Sequence, residues 1–354
     1  MSRTGPRIPQ TPAPKAASSR RYQMVDLARL AGVSVSTVSR ALSDHPLIKP
    51  ETRLRIHELA RSLNYQVNSG AANLRKQDNN TVGVIFLGDS LQQISDPFIL
   101  SLFGHIADEL HAKGMQLLLL RVDPKHPQSL AHAYERGLVS GLLIVGQAFL
   151  HEELNRLHTR NIPMVVWGAI TPGNLYCTVG SDNERGGYLA TQHLLQEGCR
   201  NIVFVGDTRH PEIDLRHRGF IRALSEAGLE EDPSLHIPVL FGDQLLRSTV
   251  KSWVDQGHPI DGVFASSDVA ALTIVSALND AGRKVPDEVK VVGFDDIALA
   301  SFMHPSLTSV KQPTLEAAKA MVDRLLQLMS GHTVSSQMLE TELIFRESSR
   351  SLHT

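Results

Sequence analysis

The apolar positions of the chain change their period once, near residue 80. Between residues 24 and 63 they recur at helical spacing. Met24, Leu27, Ala28 and Ala31 form one stripe, Val38, Ala41 and Leu42 a second, and Ile56, Leu59, Ala60 and Leu63 a third. Each stripe predicts a short helix. Gly32 supplies a tight turn after the first, and Ser34 caps the second. Pro50 and Glu51 suit the first turn of the third, where a missing N–H costs nothing and a carboxylate meets the positive end of the helix dipole. From Thr81 onward, continuous apolar runs of strand length are separated by helical segments: VGVIFLG, MQLLLLRV, GLLIVG, IPMVVWG, NIVFVGD, HIPVLFG, DGVFASS and VKVVGFDD. Such Val/Ile/Leu runs predict parallel strands covered on both faces by helices, a doubly wound α/β fold. They are too many for one sheet of ordinary size and divide near TVGSDN into similar halves, so two lobes with a cleft between them are expected.

The polar face of the second helix carries Ser36, Ser39, Arg40 and Ser43. Three short helices with a Gly-containing turn between the first two describe a helix-turn-helix, whose second helix enters the DNA major groove. Arg40 can fork onto guanine O6 and N7, a contact that discriminates by roughly 1–3 kcal/mol. Ser36 is the other candidate base-edge reader, while Ser34, Thr37 and Ser39 suit phosphates and set register. Val35 borders the apolar stripe, and two roles stay open for it: core residue or contact to a thymine methyl. Charge points the same way. Residues 1–76 hold 13 Lys and Arg against 4 Asp and Glu, whereas the remainder holds 22 against 33. A small basic end on an acidic body suits a polyanion-binding module joined to a domain with another task.

At 354 residues and 42% hydrophobic content the chain exceeds one ordinary core. No apolar run approaches the roughly 18 residues of a membrane span. The Pro- and Ser-rich start, residues 1–21, lacks the apolar segment of a secretory signal and reads as a disordered basic arm on a cytoplasmic protein. Cys177 and Cys199 read as reduced structural thiols. The sequence lacks a phosphate-binding G-x-x-x-x-G-K-[ST] and a G-x-S-x-G elbow, and HEELN at His151 breaks the H-E-x-x-H zinc pattern. Isolated histidines such as His105, His111, His193 and His217 read as surface or capping groups. Binding without turnover is therefore expected, with no enzyme activity, no metal and no cofactor.

The segments VDLARLAGVSVSTVSRAL and SDHPLIKPETRLRIHELARSLNY, followed by the N-x-x-A-x-x-L of Asn68, Ala71 and Leu74, resemble the LacI/GalR family of transcriptional regulators. The resemblance implies a hinge helix that forms when two subunits meet on a pseudo-palindromic site, with Leu74 wedged into the minor groove. An unstacked base step costs a few kcal/mol, offset by contacts on bent DNA. Family members often carry arginine directly after the conserved alanine; here Ala72 stands there and Arg75 follows the leucine, which moves or removes one minor-groove contact. Gly70 weakens the helix by up to about 1 kcal/mol relative to alanine, so a hinge disordered without operator is expected.

Ligand loops in such folds lie at the carboxyl ends of the strands. They carry Asp96-Pro97-Phe98, Trp167, Ser181, Asp182, Arg216, Ser267-Asp268, Asp295-Asp296 and Gln312. Carboxylates, a guanidinium, an amide and aromatic faces suit a polyhydroxy ligand. The resemblance implies that Arg216 and Asp295 bind the effector and that Pro97, Phe98, Ser267 and Gln312 line its pocket. Many members have an aspartate where this chain has Trp167, a change that favours stacking on a glucoside or disaccharide. Asp182 reads equally as an N-cap. The expected organisation is a helix-turn-helix domain over 22–67, a hinge and linker over 68–78, and a two-lobed effector-binding and dimerisation domain over 79–354. Lobe one takes about 79–180 and 310–338, lobe two about 181–309 and 339–350, so the chain crosses three times. The expected function is a homodimeric repressor of carbohydrate-utilisation genes, released from its operator by a sugar. Two rivals are a purine or other metabolite acting as corepressor and, in another class, a solute-binding protein of transport.

Overall fold

The computed structural model describes residues 23–42, 45, 47–63, 79–87, 95–122, 126–147, 150–239 and 244–350. The expected N-terminal arm, Ser43, and the hinge residues Asn68, Gly70, Ala71, Ala72, Leu74 and Arg75 lie outside the described residues. The chain divides into two compact units, Met1–Asp78 and Asn79–Thr354.

The first unit contains α1 (Met24–Ala31), α2 (Val35–Leu42) and α3 (Pro50–Ser62). Its core is small. Leu27, Ala28, Val38, Ala41, Ile56 and Ala60 are buried, with Met24, Val35, Leu42 and Leu63 packed partly buried around them. Alanines at 28, 41 and 60 permit such short helices to approach closely. Gly32 ends α1 in the left-handed conformation, φ 63°, which glycine adopts without steric cost and which turns the chain into α2. Arg55 of α3 donates to the Ala31 carbonyl at 2.8 Å, fastening the third helix to the end of the first.

The second unit holds two sheets. In chain order its strands are β1 (Thr81–Phe86), β2 (Gln116–Leu120), β3 (Gly141–Val145), β4 (Met164–Trp167), β5 (Cys177–Ser181), β6 (Ile202–Val205), β7 (His236–Ile237), β8 (Gly262–Ala265), β9 (Lys290–Asp295), β10 (Thr308–Lys311), β11 (Gln337–Leu339) and β12 (Glu342–Ile344). The helices are α4 (Pro97–Ala112), α5 (His132–Glu135), α6 (His151–Thr159), α7 (Asn183–Gln196), α8 (Pro211–Glu226), α9 (Gln244–Asp255), α10 (Asp268–Asp280) and α11 (Thr314–Met329). One sheet runs β11-β5-β4-β3-β1-β2 and the other β12-β10-β9-β8-β6-β7. Every neighbouring pair is parallel except β10 with β12. Helices on both faces bury the strand side chains of β3, β4, β6 and β8 completely, as the unbroken apolar runs require.

The chain changes sheets after Ser181, after Lys311 and between Leu339 and Glu342. Ser181 and Leu339 thus belong to the first sheet and Val310 and Lys311 to the second, displaced by one or two residues from the expected lobe boundaries at 180/181, 309/310 and 338/339. The first and third crossovers are laced together: Asp182 donates its amide to the Leu339 carbonyl at 2.8 Å, and Thr341 Oγ1 donates to the Asp182 carbonyl at 3.2 Å. Both cysteines are buried free thiols, and burial pushes them up, Cys177 to about 11 and Cys199 to about 12, which suppresses the reactive thiolate.

Candidate functional site

In the helix-turn-helix unit, the start of α2 is built from hydroxyls. Ser34 Oγ accepts from the Thr37 amide at 3.1 Å and lies 2.8 Å from both Ser36 Oγ and Thr37 Oγ1. This satisfies one orphan donor of the first turn and gathers three hydroxyls at the positive end of the helix dipole, a place suited to a phosphate. Ser34, Ser36 and Arg40 are exposed, while Thr37 and Ser39 are half-buried. Val35 packs half-buried against the core, which answers in part the question its sequence position raised: it contributes to packing and keeps one exposed side. The exposed face of α2 therefore presents a guanidinium and hydroxyls over a rigid apolar base.

In the second unit the candidate residues gather at strand ends. Trp167 ends β4, Ser181 ends β5, Asp295 ends β9, Ser267 follows β8 and Gln312 follows β10. Arg216 comes instead from α8, and what places it is the crossing of α7 and α8. A Cβ on Gly187 would meet the backbone of Arg216, its carbonyl carbon at 2.7 Å, and a Cβ on Gly219 would meet the backbone of Glu184 and the Tyr188 amide at 2.6 Å. Only glycine at both positions allows this approach. The guanidinium is then held from three sides: Nε donates to Asn183 Oδ1 at 2.8 Å, Nη1 donates to the Ser266 carbonyl, and Cζ lies 3.6 Å from the centroid of the Phe294 ring.

Asp295 and Asp296 both take positive φ, 118° and 54°. For residues with a side chain these conformations cost about 1–3 kcal/mol each and persist only when the surroundings impose them. Here they do. The Asp296 amide donates to Ser309 Oγ at 3.0 Å, its carboxylate pairs with Arg346 at 2.6 Å, and the Ile297 amide donates to Asp268 Oδ2 at 2.8 Å. Gln312 Nε2 donates to Asp295 Oδ1 at 2.7 Å and so orients the carboxylate from the second crossover. Asp268, expected to face a ligand, has both oxygens engaged inside the lobe, Oδ1 by Ser309 Oγ at 2.6 Å and Oδ2 by Ile297. Its visible work is to hold the strained turn. Ser267 likewise caps α10 through the Ala270 amide at 3.2 Å.

The first lobe supplies the opposite wall. Asp96 caps α4 through the amides of Phe98 and Ile99, with Pro97 at the first helical position. Phe98 and Trp167 are both buried, their rings 6.0 Å apart and tilted. Ser181 Oγ is buried with no hydrogen-bond partner. Gln147 bonds both the amide and the carbonyl of Ala169 and donates to the Tyr176 hydroxyl, whose pKa burial pushes up to about 12.

The electrostatics show which groups share one space. Burial lowers the pKa of Arg216, opposed by the charges of Asp295, Glu212, Asp268 and Asp96, so four carboxyls surround one guanidinium. Burial in turn raises Asp96, Glu212 and Asp295, and pushes Asp268 up to about 7. Asn183 and Glu212 were missed in the sequence because each lies in the first turn of a helix, where a polar residue ordinarily reads as capping or surface. Asp182 is indeed such a cap, accepting from the Arg185 amide at 3.0 Å.

Residues 23–68 match the family of bacterial regulatory proteins, lacI family, and residues 191–349 match the periplasmic binding protein-like domain. The sucrose operon repressor of Pediococcus pentosaceus is 31% identical over 307 residues, 85% of this chain and 90% of the relative. Among solved structures, a complex of the transcriptional regulator CelR with cellobiose superposes with a TM-score of 0.70 at 28% identity, over 93% of this chain and all of that one. The lac repressor dimer bound to operator and an anti-inducer has the same fold, with a TM-score of 0.80 at 22% identity over 94% of this chain and all of that one. The chain belongs to the LacI family of DNA-binding transcriptional regulators.

Proposed function

We propose that the protein is a homodimeric, cytoplasmic repressor of carbohydrate-utilisation genes, and that a disaccharide or glucoside in the cleft releases it from a pseudo-palindromic operator without being turned over. The observation that carries this reading is the buried Arg216 guanidinium with the carboxyls of Asp295 and Asp96 around it, Asp295 held by Gln312 and Asp96 capping the helix whose Phe98 packs against Trp167. Arg216 donates to ring or glycosidic oxygens, Asp295 accepts from hydroxyls, and the rings of Phe98 and Trp167 cover the apolar face of a sugar. Pro97 and Ser181 complete the wall, while Ser267 and Asp268 act by holding the loops. Arg40 and Ser36 read bases, and Ser34, Thr37 and Ser39 bind phosphates, with Ser43, Asn68, Ala71, Leu74 and Arg75 as further contacts. A relative named as a sucrose operon repressor and a neighbour solved as a complex with cellobiose support a disaccharide. Differential affinity is essential: a sugar that binds the DNA-bound and free states equally shifts nothing.

The test is a thermal-shift screen of the full chain against mono- and disaccharides, followed by operator titrations with each stabilising sugar. A cleft ligand at 100 times its Kd raises stability by about 2.7 kcal/mol. Weaker operator binding with sugar supports the proposal. Tighter binding with a purine or phosphorylated metabolite, and no response to sugars, replaces it with the corepressor reading.

A further inference from the structure

Three side chains that the sequence scatters meet beside β7, the edge strand of the second sheet. His217 lies on α8, Glu231 in the loop that follows it, and His236 opens β7. One ligand atom from each falls within 4.8 Å of the others. His217 Nε2 is 2.6 Å from Glu231 Oε1, and the two imidazoles stack with centroids 5.0 Å apart and planes 26° from parallel. Phe204 packs on both rings, at 4.7 Å and 5.4 Å, and fixes their orientation. All three ligand residues are partly shielded from solvent yet reachable.

The hydrogen bonding settles which atoms are available. His236 Nε2 lies 2.9 Å from the Gly206 carbonyl, which only accepts, so Nε2 carries the proton and the lone pair is at Nδ1. A metal-ligating histidine ordinarily has its other ring nitrogen held in this way. His217 and Glu231 face each other across a gap that one proton bridges, with a second imidazole beside them. A single carboxylate lies within 4.8 Å of a donor atom on each of two imidazoles, and a divalent ion would satisfy all three at once.

We propose that His217, Glu231 and His236 bind one zinc-class divalent transition ion, with an open fourth position for water. Zinc bonds of about 2.0–2.2 Å in tetrahedral geometry set the donors about 3.4 Å apart, which these side chains reach by moving less than roughly 1.5 Å. Two imidazoles and a carboxylate select first-row ions such as Zn2+ over Mg2+ or Ca2+. The ion would tie β7 to the helix that carries Arg216, the residue directly before His217.

The experiment uses the full chain, stripped with a chelator and titrated with Zn2+ against a chromophoric competitor, with Co2+ as a spectroscopic substitute. The expected result is one equivalent bound and tetrahedral Co2+ absorption. Both should be lost, with affinity down at least about 100-fold, in His236→Gln and separately in Glu231→Gln, and kept in the exposed control His132→Gln. Circular dichroism verifies that each variant is folded; Glu231 lies in a loop, and its replacement by the isosteric amide preserves shape. Binding no tighter than about 100 µM, or loss in only one or neither of the two variants, overturns the three-ligand site and leaves a His217–Glu231 hydrogen bond.

Discussion

Replacing Gly219 by alanine tests whether the helix crossing positions Arg216. The new Cβ would stand 2.6 Å from the Tyr188 amide and closer still to the Glu184 carbonyl, against an ordinary contact of 3.4 Å or more. Both neighbours are backbone atoms of α7 that cannot rotate away, so the helices must part by about 1 Å. Overpacking of this kind costs roughly 1–3 kcal/mol. Alanine's better helix propensity returns up to about 1 kcal/mol, which leaves a net loss near 1–2 kcal/mol and a fall in Tm of about 2–8 °C. The functional loss should exceed the stability loss. A 1 Å shift of α8 stretches the 2.8 Å bond from Arg216 to Asn183 beyond hydrogen-bonding range and takes the guanidinium off its other two supports. Gly104→Ala is the internal control, because that exposed helical glycine has open space around a new Cβ and no positive φ; it should gain about 0.5–1 kcal/mol. Calorimetry with a stabilising sugar reads both quantities. If Gly219→Ala melts no lower than the parent and keeps its ligand-induced shift, the crossing does not set the site.

Asp268 gives a pH signature. Its carboxyl, near 7 in the folded chain and 3.8 ordinarily, keeps a proton that the unfolded chain has lost between about pH 4 and 7, so stability falls as pH rises through that window. Asp268→Asn can still accept from Ile297 and donate to Ser309 Oγ, and chemical denaturation across pH 4–8 should show a flatter profile with the variant's advantage greatest above pH 7. Arg40→Ala should relax discrimination at one operator base pair by about 1–3 kcal/mol, whereas Ser39→Ala should weaken all sequences alike; equal losses on every operator variant in anisotropy titrations refute that division. Trp167→Ala should abolish the disaccharide-induced thermal shift while a monosaccharide shift survives, in addition to roughly 3–5 kcal/mol of lost core packing. Unchanged disaccharide binding removes the stacking role.

The helix-turn-helix was legible because its three stripes, its turn glycine and its caps all agree, and α1 to α3 occupy the predicted segments. The eight apolar runs likewise mark β1 to β4 and β6 to β9. What the pattern hid were β5, β10, β11 and β12, sequences such as CTVGS and TSVK whose polar residues look like loops. Most of these strands' polar groups are buried and paired, Ser181 Oγ excepted: Ser336 Oγ accepts from the Thr178 amide, and Thr308 Oγ1 donates to the Arg346 carbonyl. Local pattern cannot reveal partners that lie tens to more than a hundred residues away, and these strands include the ones at which the chain changes lobes. Separation along the chain likewise concealed Asn183 behind Arg216, 33 residues away, and His236 beside His217.

The strained turn at Asp295 has a consequence for how such a protein is improved or spoiled. Its φ of 118° is a conformation made for glycine, and its carboxyl is raised by burial, so an acid stands where folding alone prefers no side chain. Asp295→Gly should therefore stabilise the folded chain by about 1–3 kcal/mol in denaturant titrations while leaving it deaf to its sugar. Selection for robustness alone would drift toward a tougher protein locked on its operator. Under the role proposed for Asp295, responsiveness is kept by a residue that makes the molecule weaker.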